Sequence, residues 1–270
     1  RADIEFEIEL EDKTTRWVLG SMNTSKTTGD YILVVHDITQ LRQLNSMRRD
    51  FISNLSHELR TPVSVIRANS ETLLDGALDN KKEAKIFAKA ILHNSERLSV
   101  MVADLIDLSR IEYGDLKLNI KKIDLISFID EFVSSMKSVT KKKEIEIIFK
   151  SNHSDFVKAD PQALERIMNN LVDNAFKYSE KGSSIEISTI TESHHVRVMV
   201  SDTGIGVSDE DKSHIFDRFY RTASARASDN KGSGLGLAIV KNLINSLNGE
   251  VGVDSKDQPG SVFWFTLPID

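Results

Sequence analysis

The stretch "FISNLSHELRTP", residues 51–62, combines a helical repeat with a histidine that the repeat does not need. Its apolar residues recur every four positions and predict one face of a helix: Phe51, Leu55 and Leu59. The residues three and four positions away from His57 are all polar, so we expect its imidazole to point to solvent. Pro62 lacks a backbone N–H, and we expect the helix to bend just beyond the histidine.

The neighbours of His57 suit a reaction at its ring. A neutral imidazole is a nucleophile near neutral pH because its pKa lies close to neutrality. The carboxylate of Glu58 could hold one ring nitrogen and take its proton, which leaves the other nitrogen free to attack. A lone histidine is more often a solvated surface residue, and the flanking Glu58, Thr61 and Pro62 favour the reactive interpretation.

The helical repeat extends on both sides of this stretch. It begins near Gln40 and stops before Asp75 and Gly76, and a second amphipathic helix is predicted from about Lys81 to Tyr113. Two long helices joined by a short turn form a hairpin. Because a lone hairpin leaves its apolar stripes exposed, we expect two copies to form a dimeric four-helix bundle, and hence a homodimer.

Residues 1–39 alternate between apolar and polar side chains in three short stretches. These stretches predict two or three antiparallel strands: "IEFEIEL", "TRWVLGSM" and "YILVVHDIT". So few strands do not form a sheet domain alone. We therefore interpret them as the end of a domain whose first part precedes this chain.

From Leu116 onward helices and strands intermingle, which predicts an α/β domain with helices layered on a mixed sheet. Asp160 followed by Pro161 is typical of a helix start. The predicted elements follow in chain order: a strand at 116–120, a helix from 124 to 141, a strand at 144–149, a helix from 160 to 178, a strand hairpin at 183–190 and 194–202, a helix at 235–249 and two closing strands.

The stretch "NNLVDNAFKYS", residues 169–179, places polar side chains among apolar ones. Asn170 and Asn174 are four residues apart and share a helix face, and Lys177 lies on nearly the same face. Amide oxygens are hard ligands suited to Mg²⁺, and an ammonium group suits a phosphate.

Two further stretches carry polar and aromatic groups that could meet a base. In "SDTGIG", Asp202 ends a strand and could accept a hydrogen bond from an exocyclic amine such as adenine N6. Gly204 and Gly206 allow a close backbone approach there. In "IFDRFYR", an aromatic pair stands beside the positive Arg221.

A cluster of glycines leads into the last predicted helix. Free N–H groups at a helix N-terminus bind anions, and Gly232, Gly234 and Gly236 would let phosphates approach. The spacing matches neither the P-loop nor the Rossmann fingerprint. Each stretch alone is weak, but the four in this order favour a nucleotide site.

Composition narrows the class of protein. The chain has 270 residues with a net charge of −6, which argues against a nucleic-acid binder. It has no cysteine, hence no disulfide and no thiolate metal site. No apolar run approaches a membrane span and no signal peptide opens the chain, so we expect this fragment to be soluble and to suit a reducing compartment.

Over roughly residues 40–270 the chain resembles the sensor histidine kinases of bacterial two-component systems. "FISNLSHELRTP" is similar to the phosphoacceptor box of their commonest dimerisation domain. The later stretches resemble the boxes of the GHKL-type ATP-binding fold: "NNLVDNAFKYS", "SDTGIG", "IFDRFYR" and "GSGLGL". "ETLLDGALD" weakly suggests the phosphate-regulon and cell-wall sensor subgroup, and residues 1–39 resemble the last strands of a PAS domain.

The resemblance implies three domains and a role for each residue near the histidine. Residues 1–39 would end a PAS-like domain, 40–115 would form the dimerisation and phosphotransfer domain, and 116–270 the α/β sandwich that binds ATP. His57 would take the γ-phosphoryl group of ATP with Glu58 as base. Thr61 would orient water in the reverse, phosphatase direction.

The resemblance also implies the residues of the nucleotide site. Asn174, with Asn170, would hold Mg²⁺, Lys177 would contact phosphate, and Asp202 would read the adenine amine. Tyr178 would line the base pocket. Residues 221–233 would form a mobile lid over ATP, starting at Arg221. The remaining residues would shape the cleft: Gly204, Gly206, Gly232, Ser233, Gly234, Leu235 and Gly236.

Implied partners are a second copy of the chain and a response regulator whose aspartate takes the phosphoryl group. The ATP-binding domain would swing onto His57 through a hinge near Tyr113–Lys117. The full-length protein would be anchored in the inner membrane, with this portion in the cytoplasm.

Three other functions stay open at this point. They are a GHKL-type ATPase without a phosphohistidine, a non-catalytic signalling scaffold, and a protein that acts mainly as a phosphatase. The intact "SHELRTP" argues against the first, and the intact Asn174, Asp202 and glycines argue against the second. The other six histidines are expected to be structural or surface residues, and "VSDEDK" is expected to start a helix.

Overall fold

Two units make up the part of the chain that the structure describes. In the computed structural model these are Arg1–Thr61 and Pro62–Asp270. The described residues are 2–24, 30–112, 114–151, 156–227, 232–256 and 259–269. The domain ranges 1–39, 40–115 and 116–270 stay predictions.

Three antiparallel strands open the first unit, as the alternating pattern predicts. They are β1 (Ala2–Glu9), β2 (Thr15–Thr24) and β3 (Tyr31–Asp37), in the spatial order β1-β2-β3. Val18 of the central strand is buried, whereas every residue of β3 is exposed. That this sheet ends a PAS domain stays a prediction.

Helix α1 (Thr39–Leu74) begins directly after β3. Two backbone groups of Trp17 fix its start: the Trp17 carbonyl accepts from the Ile38 N–H at 2.8 Å, and the Trp17 N–H donates to Thr39 Oγ1 at 2.9 Å. The guanidinium of Arg42 lies 4.0 Å from the Trp17 ring centroid. The sheet is therefore joined to the first turns of the helix.

The predicted order of helix, turn and helix is confirmed. Helix α1 continues through Pro62 and ends at Leu74, and the bend at Pro62 stays a prediction. Gly76 has a φ of +123° at the turn, and a single 3₁₀ turn follows. Helix α2 (Lys81–Glu112) starts with the Lys82 N–H donating to Asn80 Oδ1 at 3.1 Å. Tyr113, the predicted end of α2, lies outside the described residues.

The rest of the second unit alternates strands and helices. Its strands are β4 (Lys121–Asp124), β5 (Glu146–Ser151), β6 (Phe156–Ala159), β7 (Ser184–Glu192), β8 (His195–Ser201), β9 (Val251–Ser255) and β10 (Ser261–Pro268). Its helices are α3 (Leu125–Ser135), α4 (Lys137–Lys143), α5 (Pro161–Tyr178), α6 (Asp209–Lys212), α7 (Ala223–Ala227) and α8 (Gly236–Ser246).

The main sheet is mixed, as predicted. Its order is β5-β7-β8-β10-β9, with β5 and β7 parallel and the other pairs antiparallel. Helices α3, α5 and α8 pack on it. Alternate residues of β7 and β8 are buried against the helices, as a half-buried sheet requires. This is the expected α/β sandwich.

The strand predicted at 116–120 is wrong in position. Those residues have no strand structure, and β4 begins at Lys121, where Ala159 of β6 provides a partner. The Asn119 N–H instead donates to Asp160 Oδ2 at 2.6 Å. The apolar alternation is real, but the partner strand, which the sequence analysis missed, is only four residues long.

The single helix predicted over 124–141 is two helices. The Met136 N–H is shared between the carbonyls of Phe132 and Val133, where α3 ends and α4 begins. Three residues of α3 are buried, whereas α4 buries none. The break therefore lets the buried face of α3 stay on the core while α4 runs along the surface.

The helices give no sign of a membrane crossing. Within the described part of the chain, none combines the length and the apolar character that a bilayer span requires.

Candidate functional site

The side chain of His57 is exposed on α1, as the helical pattern predicts. Thr61, one turn later, is also exposed, and its Oγ1 donates to the His57 carbonyl at 3.3 Å. Glu58 is half-buried beside it. Pro62 has no N–H to offer the Glu58 carbonyl, so the backbone just after the histidine lacks one helical hydrogen bond.

A cavity of about 310 Å³ lies in the second unit. The structure brings most of the predicted nucleotide residues together around it: Asn170, Asn174, Lys177, Tyr178, Asp202, Gly206, Arg221, Gly232, Ser233, Gly234 and Gly236. They come from α5, from the loops after β8 and before α8, and from the segment before α7. These segments are tens of residues apart in the sequence, and the fold of the α/β sandwich brings them together around the cavity.

Asp202 is the buried carboxylate of the cavity. It is 4% exposed, and its Oδ1 accepts from the backbone N–H groups of Gly204 at 2.8 Å and Ser261 at 3.3 Å. Burial raises the pKa of Asp202, and these hydrogen bonds oppose the shift without cancelling it. With Oδ1 held by the backbone, Oδ2 is the oxygen left to accept from a ligand.

Two predicted residues do not line the cavity. Gly204 lies behind its wall, where an added Cβ would come within 2.5 Å of the Tyr178 carbonyl oxygen, so its role is close backbone packing. Leu235 is fully buried, and its side chain packs in the core beneath the start of α8. That Leu235 takes part in nucleotide binding stays a prediction.

Gly236 lines the cavity and also lies directly against Asn170. Asn170 Nδ2 donates to the Arg166 carbonyl at 2.9 Å, which turns Oδ1 toward the start of α8. A Cβ on Gly236 would stand 2.6 Å from that Oδ1. The glycine thus makes room for a protein side chain. Asn170 and Asn174 both line the cavity.

These two amides fit a Mg²⁺ site. Among the described residues no cluster of three or more acidic or histidine side chains could hold a metal. Mg²⁺ usually keeps several waters and is held by one or two protein oxygens together with substrate phosphates. Two amide side chains beside Lys177 would suit a Mg²⁺ ion that is also held by phosphates. They are too few to hold the ion by protein ligands alone.

One wall of the cavity belongs to α2 and was not predicted from the sequence. Arg97, Val100, Met101 and Asp104 all line it. Helix α2 also packs against α8. No local pattern marks these residues, because their spacing on α2 is that of any amphipathic helix.

An ion cluster fastens α2 to α5. Arg166 pairs with Asp104 at 2.9 Å and also with Asp107, one turn further along α2. Burial raises the pKa of Asp104, while the charge of Arg166 acts in the opposite direction. Arg166 is one turn before Asn170 and supplies the carbonyl that holds it, so the cluster adjoins the cavity.

The predicted lid, residues 221–233, is partly helical. Helix α7 occupies five of its residues, and Ala225 is buried. The Arg221 guanidinium donates to the Ala225 carbonyl, and Arg226 Nε donates to the Arg221 carbonyl at 3.0 Å. Residues 228–231 lie outside the described part, and mobility of this segment stays a prediction.

The minor predictions agree with the structure where it describes them. Ser208 caps α6, which confirms the helix start in "VSDEDK". His153 lies outside the described residues. The other histidines besides His57 are exposed: His36, His93, His194, His195 and His214.

Two family models match the chain. Residues 47–114 match the His Kinase A (phospho-acceptor) domain, which includes His57. Residues 159–270 match the "Histidine kinase-, DNA gyrase B-, and HSP90-like ATPase" domain, which includes most of the cavity.

Named relatives agree with both models. Sensor histidine kinase WalK of Bacillus subtilis is 34% identical over 269 residues, which cover 97% of this chain and 44% of WalK. Sensor-like histidine kinase SenX3 of Mycobacterium tuberculosis is 36% identical over 237 residues, 88% of this chain and 58% of SenX3. The chain thus spans about half the length of the curated relatives it matches.

The fold has solved counterparts as well. Full-length ShkA in complex with AMPPNP superposes with a TM-score of 0.60 at 28% identity, over 82% of this chain and 46% of that one.

Proposed function

Because the chain belongs to the sensor histidine kinases and carries both their phospho-acceptor and their ATPase domain, we propose that it transfers the γ-phosphoryl group of ATP to His57. The phosphoryl group would then pass to an aspartate of a response regulator. The observation that carries the proposal is the presence in one chain of an exposed His57 and of a cavity lined by Asn174, Lys177 and Asp202.

In the proposed first step, one ring nitrogen of His57 attacks the γ-phosphorus. A nitrogen–phosphorus bond forms, the bond to the bridging oxygen breaks, and ADP leaves with the electron pair. The ring proton passes to Glu58, the neighbouring carboxylate. Such a transfer needs mainly positioning and charge neutralisation.

The cavity residues would position the nucleotide for this step. Asp202 Oδ2 would accept from the adenine amine while its Oδ1 stays on the backbone. Lys177 would meet a phosphate, and Asn174 with Asn170 would hold Mg²⁺. When bound, the ion would neutralise phosphate charge. The AMPPNP complex of ShkA supports a nucleotide at this fold.

The exposed surface of α1 suits two successive partners. His57 must be reached first by the ATP-binding domain and then by the regulator, which explains why the imidazole is exposed. Thr61 would orient water when the protein dephosphorylates the regulator. Its exposed hydroxyl lies one turn from the histidine, where a water could approach.

Exposed apolar side chains on both long helices support a homodimer. A four-helix bundle would cover them. They are Leu41, Leu44, Met47, Ile52, Val63, Ile86, Leu92, Val102 and Ile106.

Anchoring of the full-length protein in the inner membrane remains an expectation from the family.

The test is incubation with γ-labelled ATP and Mg²⁺, comparing the parent chain with His57→Gln. We expect label that is lost in acid, survives base and is absent from the variant, because a phosphohistidine bond is acid-labile. His93→Gln, an exposed histidine on α2, is the matched control and should label like the parent.

Label that persists in His57→Gln would place the acceptor elsewhere and overturn the assignment. A parent chain that binds ATP without taking label would favour the phosphatase or scaffold function. Release of phosphate from a phosphorylated regulator, with Thr61→Ala as control, would then separate these two.

A further inference from the structure

Tyr220 stands where the cavity wall meets the segment predicted to form the lid. The residue lines the cavity beside Arg221 and is half-buried. The backbone next to it is fixed, because the Phe219 N–H donates to the Gly234 carbonyl at 2.9 Å. Phe219 has a φ of +61°, in the left-handed region, so the chain turns sharply just before Tyr220.

The phenol of Tyr220 is held from outside the cavity. Its hydroxyl donates to Asp211 Oδ1 at 2.6 Å, a short hydrogen bond to a charged acceptor. The second oxygen of Asp211 accepts from Ser208 Oγ at 2.6 Å, at the start of α6. One carboxylate oxygen of Asp211 thus accepts from the N-cap serine of α6, and the other accepts from Tyr220.

The protonation states suit this arrangement at neutral pH. Hydrogen bonds from Ser208 and Tyr220 lower the pKa of Asp211, which keeps the carboxylate charged. The same bond raises the pKa of Tyr220, which keeps the phenol a donor. Other charged or titratable groups nearby are Arg226, which acts on both residues, and His214, whose ring centroid is 5.6 Å from that of Tyr220 and which pairs with Asp217.

We propose that Asp211 is a positioning residue for the nucleotide: by holding the Tyr220 hydroxyl it fixes the Tyr220 ring as a wall of the cavity. This inference rests on the proposed ATP site. Asp211 itself does not line the cavity, so we expect its loss to act on the nucleotide through its hydrogen bond to Tyr220.

The expected size of the effect follows from side-chain ordering. A tyrosine released from Asp211 must be ordered again when the nucleotide binds, and immobilising one such side chain weakens affinity by about 2- to 10-fold. Asp211→Asn and Tyr220→Phe each remove the same hydrogen bond. We expect each to weaken binding of Mg²⁺–ADP by a similar factor, and the double variant to be no weaker than either single one.

The experiment is calorimetric titration of the full chain with ADP and Mg²⁺, followed by autophosphorylation kinetics. The KM for ATP should rise by the same factor while kcat stays at the parent value, because the reacting groups are untouched. Ser208→Ala removes the bond on the other oxygen, and Asp209→Asn alters an exposed carboxylate paired only with Lys212. Both controls should bind ADP like the parent.

Parent-like ADP affinity in Tyr220→Phe would overturn the inference, as would effects of the two single variants that multiply in the double variant. Tyr220→Phe keeps the ring and leaves the Ser208 cap intact, so it remains decisive even if Asp211→Asn lowers stability. A parent chain that does not bind ADP would instead overturn the proposed function, which separates the two failures.

Discussion

His57 and Asp202 are proposed to act on the same ATP molecule, yet they lie in opposite surroundings. His57 is exposed on a helix whose own apolar residues are largely exposed too. Asp202 is buried, and its Oδ1 is held by two backbone N–H groups. Under the proposed function, this difference would follow from what each residue meets: a group reached by the ATP-binding domain and by a regulator must be accessible, whereas a group that binds a small ligand needs fixed geometry.

This comparison predicts that the two residues affect different properties. His57→Gln should abolish labelling but leave both nucleotide affinity and the free energy of unfolding unchanged. Asp202→Asn should instead weaken nucleotide binding. The predictions that follow concern the buried region around the cavity.

The largest of these effects is expected from Asp202→Asn. The amide can keep its oxygen on Gly204 and Ser261, but its NH₂ group would then face the adenine amine, where an acceptor is needed. An unpaired buried polar group costs about 1–3 kcal/mol, or roughly a 5- to 150-fold loss of ADP affinity. Calorimetric titration measures it, and an affinity within twofold of the parent would show that Asp202 does not read the base.

In the absence of nucleotide, the stability of Asp202→Asn as a function of pH tests whether the Asp202 carboxylate is buried. Because the pKa of Asp202 is raised in the fold, its contribution to stability is fully present below the ordinary value of 3.8 and is lost as pH rises through the raised pKa. The unfolding free energy of Asp202→Asn relative to the parent should therefore increase between about pH 3 and pH 7. Asp209→Asn should show the opposite sign, since Lys212 lowers the pKa of Asp209. Equal slopes for both variants would contradict the assigned burial.

The next largest effect is expected from Gly236→Ala. The new Cβ would meet Asn170 Oδ1 at 2.6 Å, so Asn170 must move, and overpacking of this kind costs about 1–3 kcal/mol of unfolding free energy. Gly232→Ala is the matched control, since its Cβ would meet no atom of the described residues within 4 Å. Chemical denaturation measures both. Equal stability of the two variants would mean that the Asn170 contact is not as tight as described.

The smallest expected effect concerns the ion cluster between α2 and α5. Removing the charge in Arg166→Ala leaves two carboxylates whose side chains are 14% and 27% exposed. Since such partly buried pairs lie between exposed and fully buried ones, we expect a loss of about 1–2 kcal/mol. Arg67→Ala breaks a largely exposed pair with Glu71 on α1 and should cost less than about 0.5 kcal/mol. A cost for Arg166→Ala as small as that for Arg67→Ala would show that the cluster does not fasten α2.

Much of the fold could be predicted because its signals are local. The helical repeat around His57, the Asp160–Pro161 helix start and the alternation in β7 and β8 each depend on residues a few positions apart. The errors arose where a distant partner decides the structure. Residues 116–120 alternate like a strand, but the strand forms only where β6 lies opposite.

Residue types and spacing alone were enough to predict which face of each helix is apolar, that His57 is exposed, and that a shared site would include Asn170, Asn174, Lys177 and Asp202. The wall of the cavity formed by α2, and the position of Arg166 between Asp104 and Asp107, follow from the packing of distant segments. The same packing places Asn170 against Gly236 and Tyr220 against Asp211. The reason is physical: local patterns record which surfaces avoid water, whereas contacts between distant residues depend on how those surfaces pack against one another.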